Sequence, residues 1–189
     1  PNIINFFVPN FRDEQTSVAI ENLKIQHCTY EIDRYIDNIT IKTDELIIKI
    51  YDEFKVDIYN KYEKLICEDY RGGREPFVKN CAGRLDIATQ EGHKPTDHME
   101  YKVFVPKKME ENMYFYGFGE RSGHLNKKYC HYINWNTDDP TPHGETYEKL
   151  YKSIPFFITL KDEEAFGIFF DNTFETHFNC QNSIFFQPN

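Results

Sequence analysis

Short segments in which apolar and polar residues alternate recur along the chain and predict β-strands. The alternation is clearest in Phe54–Tyr59, where apolar and charged side chains follow one another at a period of two, as in a half-buried strand. The segments recur at roughly 8–12 residues, the spacing typical of an antiparallel sandwich. No long segment repeats its apolar residues at a helical period, so neither an all-α nor a doubly wound fold is expected. The other predicted strands are Ile3–Val8, Val18–Ile20, Leu23–Ile25, Ile39–Ile41, Leu46–Ile50, Met99–Val105, Ile154–Leu160, Ala165–Phe170, Thr173–Phe178 and Ser183–Phe186.

Polar residues and turn formers separate the predicted strands. Lys42–Glu45 and Lys161–Glu164 are predicted to be turns between consecutive strands, and Asp171–Asn172 is a typical turn dipeptide. Pro106–Asn112 predicts one helical turn, because proline is allowed at the first helical position. Arg71–Asp97 is polar and predicts a long connection with one or two short strands. Neither a repeat nor a linker interrupts the chain, so residues 1–189 are predicted to form a single domain.

Three of the nine glycines lie within the seven-residue segment Gly117–Gly123. A dinucleotide-binding loop would need a strand before this segment and a helix after it, and no helix is predicted there. Glycine tolerates sharp bends and the close approach of another backbone. The segment therefore predicts a bulged, tightly turned strand end that packs against another element.

The only tryptophan lies beside two carboxylates in Trp135–Asp139, ahead of Pro140. An indole ring stacks on the C–H face of a sugar, and carboxylates accept strong hydrogen bonds from hydroxyl groups. The alternative is an Asx-turn, in which Asp138 or Asp139 caps its own backbone before the proline. The pattern alone leaves both interpretations open.

Charge and composition exclude several function classes. The net charge of −9 disfavours nucleic acid and anionic membranes as partners, because both attract clustered Lys and Arg. The pairs Lys107–Lys108 and Lys127–Lys128 are interpreted as solvated surface rather than as a binding patch. No apolar stretch approaches the ~20 residues of a membrane span, so no membrane partner is predicted.

The cysteines and histidines suggest no metal or cofactor. The five cysteines are odd in number and include no Cys-x-x-Cys motif, so neither a disulfide framework nor a zinc ribbon is predicted. Reduced thiols in a cytoplasmic protein are the simplest interpretation. The seven histidines show no recurring ligand spacing.

Five sequence blocks between Tyr114 and Phe178 resemble the N-terminal β-sandwich of glycoside hydrolase family 31, which includes α-glucosidases and α-xylosidases. In chain order the blocks are GFGERSG, HLNKK, NWNTDDP, LYKSIPFFI and AFGIFFDNT. The resemblance implies an all-β fold, an antiparallel β-sandwich similar to the galactose-mutarotase-like supersandwich. It also implies a parent enzyme that hydrolyses α-glucosidic bonds with retention, in an oligosaccharide or another α-glucoside.

In that family both catalytic aspartates lie on a (β/α)₈ barrel that follows the sandwich. This chain is therefore expected to be the N-terminal part of a larger enzyme, to buttress the downstream barrel and to be inactive alone. Asp138 and Asp139 do not suit a catalytic pair, because neighbours in an extended loop point in opposite directions and the paired groups of retaining enzymes lie about 5–5.5 Å apart. The alternative is a free-standing carbohydrate-binding module that uses Trp135. The sandwich also resembles mutarotases, but no motif of His acid and carboxylate base supports that activity.

The resemblance implies roles for the loop residues. Asp138, placed before the x-Pro, matches the family aspartate that binds substrate near the scissile bond, and Trp135, Thr137 and Asp139 are expected to contribute beside it. Many relatives have arginine where this chain has Thr137, so an arginine contact is not expected.

Two residues that precede the loop are expected to support it rather than to react. Glu120 and Arg121 are interpreted as a structural ion pair or a hydrogen-bond anchor. If the barrel packs against this domain, the apolar segment Ile154–Phe157 and Trp135 are expected to be exposed in the domain alone.

Overall fold

The computed structural model describes residues 2–7, 17, 19–20, 28–71, 84–86, 101–103, 105–138, 144–145, 147–181 and 185–188. These residues form β-strands and one 3₁₀ turn, with no α-helix among them. No helix within these ranges is long and apolar enough to cross a membrane. The strands are β1 (Tyr30–Arg34), β2 (Asn38–Thr43), β3 (Leu46–Tyr51), β4 (Lys55–Asn60), β5 (Leu65–Glu68), β6 (Arg84–Asp86), β7 (Tyr101–Val103), β8 (Met113–Gly119), β9 (His131–Asn134), β10 (Ser153–Lys161), β11 (Glu164–Phe169), β12 (Thr176–Asn179) and β13 (Phe185–Pro188), with the 3₁₀ turn at Asp52–Phe54.

All described strand pairs are antiparallel. One five-stranded sheet has the order β1-β2-β3-β4-β5, two three-stranded sheets have the orders β11-β10-β8 and β13-β12-β9, and β6 pairs with β7. The predicted all-β antiparallel sandwich is confirmed. Strands β11 and β12 follow each other in sequence but lie in different sheets, so Asp171–Asn172 lies in a crossover and not in a hairpin.

The five-stranded sheet places a row of apolar side chains on one face. Its register aligns Ile32, Ile41, Ile48, Ile58 and Cys67 on successive strands. Ile32 on the edge strand β1 is exposed, Ile41 and Ile58 are half-buried, and Ile48 and Cys67 are buried. The row therefore packs into the molecule through β3 to β5 and reaches solvent at β1.

Strand β4 confirms the clearest alternation of the sequence, but its charged residues are buried as well. The Lys55 ammonium donates to the carbonyl oxygen of Tyr70 at 2.9 Å, and Arg71 lies 2.9 Å from the Asp57 carboxylate. The segment after β5 thus covers the polar side of β4. The expectation of a half-buried strand is wrong for Lys55 and Asp57, because alternation does not reveal a covering segment.

The main core lies between the two three-stranded sheets and is aromatic. Phe115, Phe118 and Phe157 come from one sheet, and Tyr132 and Phe178 come from the other. Phe118 lies at the centre, with ring centroids 4.9 Å from Phe157 and 5.0 Å from Phe178. Fully buried aromatic rings contribute most of the apolar area of a small core, so this cluster joins the two sheets.

The glycine segment forms the predicted bulge between β8 and β10. Gly117 pairs with Phe157 and Gly119 pairs with Ser153, so the register shifts between Ser153 and Phe157. The bulge brings Phe118 into the core at a φ of 67°, a left-handed conformation that is unusual for a large side chain. A Cβ on Gly119 would lie 2.4 Å from the Lys152 carbonyl oxygen. The expectation of a bulged strand end packed on another element is confirmed.

Two predicted elements are absent where the structure describes the chain. Residues 106–112 form no helical turn, because Tyr70 and Lys108 donate backbone hydrogen bonds that join this segment to the end of β5. Residues 2–7 form no strand. Of the strand expected at Val18–Ile20, the structure describes Ala19 and Ile20, which lie in a bend. The strand expected at Leu23–Ile25 and most of the connection Arg71–Asp97 lie outside the described residues.

Three of the four lysines interpreted as solvated surface are structural instead. Lys127 is buried and donates to the Ser122 carbonyl oxygen at 3.0 Å. Lys128 is buried and donates to two carbonyl oxygens of the turn before β8. Lys107 forms an ion pair with Asp69 that is largely shielded from solvent. That interpretation is therefore wrong for these lysines, which cap buried carbonyl and carboxylate oxygens.

Candidate functional site

The loop that follows β9 is tied to the segment that leads into β10. The Thr137 amide donates to the Leu150 carbonyl oxygen at 3.0 Å, and the Ser153 amide donates to the side-chain oxygen of Asn136 at 2.8 Å. Within the loop, the Thr137 hydroxyl donates to the Trp135 carbonyl oxygen at 3.2 Å. Residues 135–137 are thus held in place by backbone groups of Trp135 and Thr137 and by the side chains of Asn136 and Thr137.

The tied loop presents an aromatic face and a carboxylate to solvent. Trp135 is 50% exposed, and Asp138 is also exposed. Thr137 is half-buried, with both its amide and its hydroxyl engaged. Asp139 and Pro140 lie outside the described residues, and so does the Asx-turn that would cap them. The structure brings Trp135, Thr137 and Asp138 together in one loop at the end of β9.

Arg121 connects the glycine segment to this loop. Its guanidinium donates to the carbonyl oxygens of Phe118 at 3.0 Å, Ile133 at 3.3 Å and Glu148 at 3.1 Å, and it also donates to the Asn134 side-chain oxygen. It lies over the Tyr132 ring, 5.3 Å from its centroid. Burial lowers the pKa of Arg121 to about 10, which leaves the side chain protonated at neutral pH. A single cation therefore joins the end of β8, the end of β9 and the segment before β10.

Glu120 does not share this arrangement. Its side chain is exposed, and its amide donates to the Lys152 carbonyl oxygen at 3.0 Å. The described hydrogen bonds of the Arg121 side chain go to carbonyl and amide oxygens, so the arrangement of Arg121 is that of a hydrogen-bond anchor. Glu120 contributes to the attachment of β8 through its backbone.

Sequence reasoning missed the two asparagines that flank Trp135. Asn134 is buried and receives the Arg121 guanidinium, and Asn136 accepts the amide that begins β10. The available signal was the alternation of asparagine with larger residues in Asn134–Asn136, because asparagine side chains readily bond to nearby backbone.

A second group of titratable residues lies on the outward side of β9 and β12. His131 lies 2.7 Å from Glu148, His177 lies 3.1 Å from Glu175, and the two imidazole rings are 5.5 Å apart. Lys149 also pairs with Glu175 at 3.1 Å. Burial raises the pKa of the Glu175 carboxyl, but its hydrogen bonds with His177 and Lys149 together outweigh burial, so the pKa is lowered. Each carboxylate is thus already paired. Within the described ranges, no group of three or more His, Cys, Asp and Glu side chains is arranged to hold a metal ion.

Comparison with known proteins places this geometry in a family. Residues 1–179 match the model described as the glycosyl hydrolase 31 N-terminal galactose mutarotase-like domain. Among curated proteins, alpha-glucosidase 2 of Bacillus thermoamyloliquefaciens is 46% identical over 77 residues, which are 41% of this chain and 10% of that protein. An alpha-glucosidase of Saccharolobus solfataricus is 33% identical over 78 residues, 41% of this chain and 11% of that protein.

Solved structures show the same likeness over nearly the whole chain. The glycoside hydrolase family 31 dextranase of Flavobacterium johnsoniae, complexed with glucose, superimposes with a TM-score of 0.67 at 30% identity, covering 95% of this chain and 20% of that one. An α-xylosidase of the same family from a soil metagenome has the same fold, with a TM-score of 0.61 at 14% identity, covering 95% of this chain and 25% of that one. The chain spans about a tenth of the length of the curated relatives it matches and a fifth of the dextranase. The antiparallel sandwich, the bulged glycine segment and the match over residues 1–179 together show that the chain belongs to the N-terminal galactose mutarotase-like domains of glycosyl hydrolase family 31.

Proposed function

We propose that this chain is the N-terminal sandwich of an enzyme that hydrolyses α-glucosidic bonds with retention, and that the loop 135–139 forms part of its substrate site. The observation that carries the proposal is the loop itself. The Thr137 backbone is tied to Leu150 and the Asn136 side chain is tied to Ser153, while Trp135 and Asp138 remain exposed. The α-glucosidase relatives support the choice of substrate class.

The loop offers the two kinds of contact that a sugar needs. The indole of Trp135 supplies a flat apolar face for the C–H groups of a pyranose ring. The Asp138 carboxylate accepts charge-assisted hydrogen bonds from hydroxyl groups, which are roughly twice as strong as neutral ones. A loop held before substrate arrives loses little conformational entropy on binding, so these contacts contribute to affinity.

The remaining partners follow from the same proposal. The acid and the nucleophile of a retaining glycosidase would come from a catalytic barrel later in the same polypeptide, because Asp138 lies in an exposed binding loop. The chain's role is to support that barrel and to supply one side of the substrate site. A cytoplasmic location, and the absence of nucleic-acid and membrane partners, remain predictions from composition and charge.

A free-standing carbohydrate-binding module is the less favoured function. The family that matches residues 1–179 is described as the N-terminal domain of a glycosyl hydrolase, and the named relatives are hydrolases. The paired histidines and carboxylates on β9 and β12 do not favour a mutarotase either, because each carboxylate is already paired with a cation or an imidazole.

The experiment that tests the proposal is kinetic. In the complete enzyme, Asp138→Ala should lower kcat/KM for maltose by roughly 10- to 150-fold, since a charged hydrogen bond contributes about 1.5–3 kcal/mol. Asp138→Asn keeps one acceptor and should lose less. The melting temperature should hardly change, because Asp138 is exposed.

Asp139→Ala serves as the matched control and should have the smaller effect. An aspartate that only caps a turn would behave in the opposite way, with a loss of about 0.5–2 kcal/mol of stability, by analogy with helix caps, and little change in activity. If Asp138→Ala melts early but keeps its kcat/KM, the loop assignment is wrong.

A further inference from the structure

The three-stranded sheet β11-β10-β8 is apolar on both faces. Its inner face carries Phe115, Phe118 and Phe157, which are buried in the aromatic core. Its outer face carries the side chains that alternate with these, and every one of them is uncharged. The outer apolar face is defined here by Tyr114, Tyr116, Ile154, Phe156, Ile158 and Phe169.

Register and packing show that these residues form one continuous surface. Ile158 pairs with Tyr116 on one side and with Gly167 on the other, and Phe156 pairs with Phe169. A Cβ on Gly167 would lie 2.7 Å from the Phe156 ring, so this ring lies across the glycine on the outer face. Three strands about 4.8 Å apart and some 20 Å long give an apolar area of about 300 Å².

This surface is exposed in the domain alone. Ile154 is 50% exposed, Ile158 41% and Phe169 41%. Strands that are apolar on both sides are typical of sheets covered on both faces, and an antiparallel sheet that faces water on one side instead alternates apolar with polar residues. The sequence of β10 therefore predicts a covering element that the described residues do not supply.

The exposed apolar residues of β1 form a different kind of surface. On β1, Tyr30 and Ile32 are exposed, but they alternate with Glu31 and Asp33 along the strand, and Arg34 follows on their own face. Arg34 pairs directly with Ile39, which places a charge at the edge of that row. A solvated edge strand with scattered apolar residues needs no partner.

We infer that the outer apolar face of β8, β10 and β11 is the surface on which the downstream catalytic domain of the same polypeptide packs. The inference rests on the proposed function, and it names the face and the occupant. The matched dextranase is about five times the length of the aligned region, so relatives of this domain carry a large body of additional chain. A second copy of this chain is the less suitable occupant, because its net charge of −9 opposes self-association.

The outer apolar face lies next to the attachment point of the loop that carries Trp135 and Asp138. The Ser153 amide donates to the side-chain oxygen of Asn136, and Ser153 immediately precedes Ile154 of the outer apolar face. A domain seated on β10 therefore lies beside the start of the loop that carries Trp135 and Asp138. The same strand holds the partner and positions the loop.

Hydroxyl-radical footprinting of the complete wild-type enzyme tests the inference. In the domain alone, Tyr114 is 45% exposed and Tyr30 is 61% exposed, so exposure alone predicts oxidation rates that differ less than twofold. If the catalytic domain covers the outer apolar face, Tyr114 should be oxidised at least about fivefold more slowly than Tyr30, because interface-core residues are almost fully buried. Phe156 and Phe169 should be protected with it. Equal rates for Tyr114 and Tyr30 would overturn the inference.

Further arms distinguish the occupant and separate the two proposals. Protection that disappears on tenfold dilution would identify a second copy and overturn the inference. Ile158→Glu should raise Tyr114 oxidation at least about fivefold by placing a charge in the interface, and Ile32→Glu should not.

Maltose hydrolysis is measured on the same wild-type sample. Hydrolysis with an unprotected Tyr114 would leave the proposed function standing and defeat only this inference. Absence of hydrolysis would defeat the proposed function, and the inference with it.

Discussion

Arg121 shows how one side chain can determine the position of a loop. Its guanidinium donates to backbone carbonyl oxygens of three segments and to the buried Asn134 side chain. A lysine at this position keeps the charge but cannot offer donors in the same planar fork. The geometry of the loop therefore depends on the guanidinium group and not on charge alone.

Arg121→Lys should destabilise the domain by about 2–3 kcal/mol, because at least one buried acceptor loses its donor. Arg34→Lys is the matched control, since Arg34 is exposed on the edge strand β1, and it should change stability by less than about 0.5 kcal/mol. Urea unfolding of both variants measures the difference. Equal stabilities for the two variants would show that Arg121 does not anchor the loop.

The buried thiol of Cys180 makes stability depend on pH in the alkaline range. Burial raises the pKa of Cys180 to about 12 from an ordinary value of 9.0. Above pH 9 the unfolded chain loses this proton while the folded chain keeps it, so the stabilising contribution is complete below pH 9 and decreases as pH rises towards 12. The slope is at most about 1.4 kcal/mol per pH unit for one group.

Urea unfolding under reducing conditions at pH 8, 9 and 10 should therefore show a loss of stability that is smaller in Cys180→Ala than in the wild-type chain. The comparison stops at pH 10, because burial also lowers the pKa of Arg121 to about 10 and that shift acts in the opposite direction. Cys28→Ala, at a half-buried position outside the core, is the control. An unchanged slope in Cys180→Ala would contradict the assignment.

Among the elements, the paired strands β8 and β10 contribute most to the position of the loop that carries Trp135 and Asp138. Gly117 and Gly119 adopt φ values of 125° and 86°, and the bulge between them brings Phe118 into the core while keeping Phe115 there. Two inward aromatic residues separated by three positions do not fit a regular strand, whose period is two. The bulge shifts the register, so that both Phe115 and Phe118 face the core.

Gly119→Ala should cost about 2–4 kcal/mol, from the left-handed backbone and from displacement of the Lys152 carbonyl. Gly144→Ala is the matched control, because a Cβ there meets nothing within 4 Å, and its effect should stay within about 1 kcal/mol. Thermal unfolding compares the two. If Gly119→Ala melts with the wild type, the bulge does not require glycine.

The sequence predicted strands well where both the apolar period and the turn residues were local. Ile39–Ile41, Leu46–Ile50 and Ile154–Leu160 lie within strands, and the predicted strand Ala165–Phe170 extends one residue beyond the end of β11 at Phe169. It failed at Pro106–Asn112, because the backbone of that segment bonds to the distant end of β5. The burial of Lys127 and Lys128 could not be predicted from the sequence either, because both donate to backbone carbonyl oxygens, which any residue could supply. For the loop, the sequence predicted Trp135 and Asp138 as binding residues, which stays a prediction. It missed Asn134 and Asn136, because their hydrogen bonds join segments that only folding brings together.

At the scale of the whole molecule, the domain has two surfaces that depend on one strand. The inner face of β10 completes the aromatic core, and its outer face is apolar and exposed. The loop with Trp135 and Asp138 is attached where β10 begins. Under the proposed function, the domain would stand beside a catalytic domain and present the loop at their boundary.

Hydrolysis of maltose by the complete gene product, with the anomer of the released glucose followed by NMR, is the most direct test of this account. We expect turnover that first releases α-glucose, as retention requires. Residues 1–189 expressed alone should give no turnover above a matched blank, because the reaction needs an acid and a nucleophile that the binding loop does not provide. Turnover by residues 1–189 that survives repurification, first release of β-glucose, or a complete product that leaves maltose intact would contradict the account.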